Sequence, residues 1–191
     1  MFGLFNRKKK IAHIISVSVL NTFRSCFALT KYLDENHRFQ PPYGFWQDPY
    51  VIGFAYSLTI WFLHFDFAGA TMKTAEKGEI IILTFINMCG DDYRQAMTLV
   101  NESAMTRQNA EFNRGYDHAL TLYGSTTGRL KEADADPILA EAKQLAEKLH
   151  DTHIIFSSFS DVQASTNSSI GAAVIDLTIK KHIEEHYLKA A

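Results

Sequence analysis

Residues 48–72, DPYVIGFAYSLTIWFLHFDFAGATM, decide how the rest of the chain must fold. Asp48 offers a carboxylate to the orphan N–H groups that open a helix, and Pro49 takes the first helical position, where a missing N–H costs nothing. No proline follows until Pro137. Apolar side chains then recur on nearly every side, so this helix is the one around which others pack. Asp66 is the only formal charge between Asp48 and Lys73, and the segment is long enough to cross a bilayer. Its most apolar part, Tyr50–Leu63, nevertheless stops after 14 residues at His64 and Asp66. Tyr56, Ser57 and Thr59 also break its apolar character. Runs of about 10–14 apolar residues belong to buried core helices more than to membrane spans. The expectation is a soluble all-α fold with a central helix over about 49–72.

Working outward, the 3.6-residue period supplies the partners. Ala12, Ile15, Val19, Phe23, Cys26 and Phe27 share a stripe that predicts a first helix from about Ile11 to Asp34. Further stripes are Tyr93, Ala96, Met97, Val100 and Ala104; Phe112, Tyr116, Ala119 and Tyr123; and Ile138, Ala142, Leu145, Leu149 and Phe156. Gly90-Asp91-Asp92, Asp136-Pro137 and the capping box Ser160-Asp161-Val162-Gln163 add helix starts. Ser169–Leu188 is apolar all round at first and amphipathic near Lys180. Ile80–Ile86 has the composition of a buried strand, but no second segment could pair with it, so 79–89 is expected to be a short buried helix. Connections fall at 37–47, 74–78, 124–135 and 166–168. These elements predict a helical bundle of six to seven helices, a single domain over 11–191 behind a flexible basic tail at 1–10.

Composition removes several function classes. With 191 residues, 19 Lys and Arg against 21 Asp and Glu, the chain has no basic excess for gripping nucleic acid. Its 13% aromatic content is incompatible with intrinsic disorder. Cys26 and Cys89 are far apart and outside any CxxC arrangement, which predicts reduced core cysteines rather than a disulfide or zinc framework. Arg7-Lys8-Lys9-Lys10 followed by Ile11–Leu20 imitates a signal peptide. His13, Ser16, Ser18 and Arg24 interrupt it, and no Ala-x-Ala site follows. Phe2 stands where myristoylation requires glycine. A cytoplasmic protein is expected. Phe2, Leu4 and Phe5 ahead of four basic residues give residues 2–10 the character of a weak contact for an anionic membrane or an acidic partner.

Few constellations suggest chemistry. His182 and His186 stand four apart on a helix, so both imidazoles are candidate ligands for one metal ion. A zincin would need Glu after the first His, where Ile183 stands. Glu147, His150 and His153 lack the second Glu-x-x-His element of a di-iron bundle. Gly124–Arg129 lacks Walker spacing and its lysine, and reads as a polar turn. Trp61, His64 and Asp66 form a candidate ligand pocket in the apolar core, with a buried Arg24–Asp66 pair balancing the carboxylate. Eleven of the 24 aromatics fall between Phe39 and Phe67. In the 37–47 loop, Phe39, Tyr43, Phe45 and Trp46 are the expected contact surface.

No nucleophile–base arrangement, dinucleotide fingerprint or complete metal set can be assembled from these residues. The expected function is a non-enzymatic protein-interaction or regulatory module that self-associates or binds a protein partner. The alternative is a helical protein holding an apolar small molecule or a metal ion between its helices.

Overall fold

The computed structural model describes residues 2–27, 32, 39–67, 71–106, 108–128, 136–150 and 168–188. Its helices are α1 (Phe2–Cys26), α2 (Pro49–Asp66), α3 (Thr74–Cys89), α4 (Tyr93–Thr106), α5 (Ala110–Thr127), α6 (Pro137–His150) and α7 (168–188). The fold is all-α, with no strand among the described residues. None of these helices is long and apolar enough to cross a membrane. The chain divides into two compact units, 1–117 and 118–191, the division falling within α5.

The two expected Asp-Pro caps form. Asp48 Oδ1 accepts hydrogen bonds from the backbone N–H of Tyr50 at 2.8 Å and of Val51 at 3.4 Å. Asp136 does the same for Ile138 at 2.9 Å, and its second oxygen accepts from the Thr121 hydroxyl at 2.5 Å. The α1 stripe is equally faithful: Ala12, Ile15, Val19 and Phe23 are fully buried. Along α2 every residue from Tyr50 to Ala55 is buried, as are Ser57, Leu58, Thr59 and Leu63. Thr59 satisfies its own hydroxyl by donating to the Ala55 carbonyl at 2.8 Å.

Boundaries differ from expectation in four places. α1 already contains Arg7–Lys10, because straight-chain Lys and Arg are good helix formers, and it ends at Cys26 rather than Asp34. α2 ends at Asp66 rather than near Met72. α3 absorbs both the 74–78 connection and the ambiguous 79–89 run in one helix. α5 continues through Gly124–Thr127, where hydroxyls fold back onto the helix instead of forming a turn. Ser125 and Thr126 donate to the Leu122 carbonyl and Thr127 to that of Tyr123. Gly128, at φ 65°, takes the left-handed conformation that closes a helix. The capping box at 160–163 lies outside the described residues, as does Phe156.

Within residues 1–117, α2 and α5 meet backbone to backbone. A Cβ placed on Gly53 would strike the carbonyl of Phe112, and one on Gly115 would strike the carbonyl of Tyr50. Only glycine permits that approach. α1 and α3 run side by side in the same direction. Lys8 pairs with Glu79 at 2.5 Å near their N-terminal ends. Farther along, Val17, Leu20 and Arg24 share a groove with Asn87 and Met88.

Within residues 118–191, Gly171 of α7 sits against the Thr126 methyl and Leu122 of α5. α7 widens into π-helical turns at Asp176–Lys180 and Glu184–Leu188, while Val174, Ile179 and Ile183 stay fully buried.

Candidate functional site

The aromatic loop is core rather than contact surface. Gly44, at φ 80°, starts a 3-10 turn over Phe45–Gln47 that delivers two rings inward. Phe45 is 1% exposed and Trp46 4%. Phe23 meets them edge-on, with ring centroids 5.2 Å from Phe45 and 5.8 Å from Trp46. Phe27 lies 5.6 Å from Phe45, and half-buried Phe39 lies 5.3 Å from Phe27. Edge-to-face pairs of this kind add about 0.5–1.5 kcal/mol each beyond the area they bury. Of the four residues expected at a surface, Tyr43 alone is open to solvent, at 95%. The turn joins a core cluster, and that outweighs the sequence signal of a Pro-rich loop.

The expected pocket residues do not converge. Trp61 stacks flat on Phe65 with centroids 5.4 Å apart. His64 is exposed and borders a small cavity of about 170 Å3 with Ile60, Leu63, Lys77 and Ile81. Asp66 is exposed at the end of α2 and so is not the buried half of a pair with Arg24. Because α2 ends there, the carboxylate reaches solvent.

His182 and His186 do share one face. Their rings stack with centroids 4.2 Å apart and planes 23° from parallel. His182 is buried and His186 exposed. His186 Nδ1 lies 2.9 Å from the His182 carbonyl, which can only accept, so that nitrogen carries the proton. Among the described residues no three His, Cys, Asp or Glu side chains gather to hold a metal ion. His153, and the side chain of His150, lie outside the described residues. So do the side chains of Phe2, Leu4 and Phe5, on which the expected membrane contact rests.

A different surface stands out. On α1, Arg7, Lys10, Ile14, Val17 and Asn21 recur at helical spacing and are all exposed. On α3, Ala75, Glu79, Ile82 and Ile86 do the same. Four aliphatic side chains therefore face water from two paired helices: Ile14 at 40%, Val17 at 41%, Ile82 at 42% and Ile86 at 38%. Val17 also rims the groove between the helices, about 480 Å3 in volume. Charge is polarised along this surface. Arg7 and Lys10 are exposed at its N-terminal end, where Glu79 is paired with Lys8, and Asp91 and Asp92 at the opposite end, directly after α3. The signal was present in the sequence as a second apolar line on each helix, but it is invisible until the first line is known to be buried elsewhere.

The chain matches no known protein family, and comparison with curated proteins and with solved structures gives no match either.

Proposed function

We propose that this protein is a non-enzymatic interaction module that self-associates through the outer face of α1 and α3. The exposure of Ile14, Val17, Ile82 and Ile86 on two paired helices carries the reading. Single exposed aliphatics are ordinary, whereas a set rimmed by polar side chains marks an association surface. A second copy is the occupant that the charges favour. α1 and α3 run in the same direction, so a two-fold antiparallel pairing sets Arg7 and Lys10 of one copy against Asp91 and Asp92 of the other. Such an isologous contact uses the same patch twice and closes on itself.

Light scattering over a concentration series tests this. The wild type is expected to pass from monomer to dimer, and added salt to weaken the dimer, because surface attractions are screened beyond about 10 Å at 0.1 M. Ile14→Gln with Ile86→Gln is expected to leave only monomer while the melting temperature stays put. A wild type that remains monomeric at every concentration overturns the reading, as does a double variant that dimerises equally well. Monomeric wild type that sediments with anionic vesicles would reassign the face to a membrane.

A further inference from the structure

Residues 1–117 hold a cavity of about 400 Å3 beside the α2–α5 crossing, where Tyr56 faces Phe112 and Tyr116, and the groove of about 480 Å3 between α1 and α3. The groove selects a ligand chemistry. Val17, Leu20, Asn21 and Arg24 stand at the three- and four-residue spacing that shares one helix face, and Asn87 and Met88 come from the last turn of α3. Phe39, whose ring packs on Phe27 just past the end of α1, adds an aromatic wall. Among the polar groups, the Ser16 hydroxyl is already engaged, donating to the His13 carbonyl at 2.8 Å. The side chains of Asn21, Arg24 and Asn87 make no hydrogen bond or ion pair among the described residues. Arg24 is half-buried. A cation in the last turn of α1 suits the negative end of the helix dipole, but that role asks only for a solvated head. Lining the groove, Arg24 also turns N–H donors toward whatever enters.

We propose that this groove binds a small organic acid, its carboxylate on Arg24 and its apolar body among Val17, Leu20, Phe39 and Met88. A guanidinium presents parallel N–H donors that fit both oxygens of a carboxylate, and such charge-assisted pairs are about twice as strong as neutral ones. The exposed amides of Asn21 and Asn87 add N–H donors at the rim. Inorganic phosphate would satisfy these donors and leave the four apolar side chains without a contact, so an acid with an apolar body is the better match. The volume lies within the roughly 300–1,000 Å3 of ordinary small-molecule sites. The groove meets the outer α1–α3 face at Val17 and Asn21, but the site is built from one copy of the chain and needs no second copy.

Phenylacetate and hexanoate, each beside its neutral amide, titrated calorimetrically into the full-length chain, test the assignment. Each acid is expected to bind at least about tenfold more tightly than its amide, the share that hydrogen bonds to a charged group supply. Inorganic phosphate is expected to bind more weakly than either acid. Arg24→Gln is expected to weaken the acids about tenfold and leave the amides unchanged. Arg24→Lys is expected to recover part of that loss, because a point charge lacks the planar fork. Asn87→Ala, at an exposed position, is expected to weaken the acids several-fold. Absence of saturable binding by both acids overturns the proposal, and so does an amide or phosphate that binds as well as the acids. Undiminished acid binding by Arg24→Gln overturns it too; where that variant fails to fold, undiminished binding by both Arg24→Lys and Asn87→Ala does so. The same titration into Ile14→Gln with Ile86→Gln, a variant expected to be monomeric, should give the wild-type affinity. Loss of binding there would overturn a site built from one copy, whatever becomes of the dimer.

Discussion

Helices α2 and α5 meet through glycine, whereas α1 and α3 meet through side chains, and the two contacts leave different surfaces behind. At the α2–α5 crossing, Gly53 and Gly115 bring backbone onto backbone, and α2 is buried on nearly every side. Nothing there can yield, because carbonyl groups fixed in a helix cannot swing aside as a side chain can. In the α1–α3 pair each helix buries one stripe and leaves another in water, where Ile14, Val17, Ile82 and Ile86 sit. The first contact fixes how the helices cross. The second leaves a face free for another molecule.

This contrast can be broken by mutation. The largest effect is expected at Phe45→Ala, which empties the aromatic cluster around Phe23 and should cost about 3–5 kcal/mol in denaturant unfolding. Tyr43→Ala, two residues away and almost fully exposed, should change stability by less than about 0.5 kcal/mol. If both cost the same, the loop is not divided between core and surface as described. Gly115→Ala comes next, at about 3 kcal/mol, since its methyl would drive into the Tyr50 carbonyl and force the helices apart. A tolerated alanine would mean that the backbone contact does not set the crossing.

High pH probes the same core more gently. Burial pushes the Tyr50 phenol and the Cys89 thiol well above their ordinary values of 10.0 and 9.0. Both therefore stay neutral in the folded chain after the unfolded chain has begun to ionise. The stability they carry is fully present below about pH 9 and is lost as pH climbs through their raised values. The melting temperature is expected to fall between about pH 9 and 11, and to fall less in Tyr50→Phe. An equal fall in that variant would place the titration elsewhere. The smallest stability effect belongs to Ile14→Gln and Ile86→Gln, within about 0.5 kcal/mol each, although together they should abolish the dimer.

Much of the fold was legible because its signals are local. Asp48 and Asp136 cap the helices that follow them, and the α1 stripe is buried where the 3.6-residue period places it. The candidate site was far less legible. His64 and Asp66 read as buried because the run before them is so apolar, yet α2 ends beside them and both reach solvent. Phe45 and Trp46 read as loop residues free to make contacts, and the 3-10 turn folds them inward instead. Gly53 carried no local sign of its importance, because α2 shows no polar face to orient it. Tyr56 reads as a polar break in an apolar helix and Tyr116 as one member of a stripe until the crossing brings both to one cavity.

By itself the amino-acid sequence determined the all-α class, the helix starts at Asp48 and Asp136 and the buried line of α1. Those features follow from hydrogen bonds and side-chain spacing within a few residues. Only the tertiary structure decided which glycines touch, which aliphatics stay in water and where a cavity opens. Each of these depends on contacts between segments far apart in the chain, and a helix that is apolar all round, such as α2, has no preferred side from which such contacts could be read.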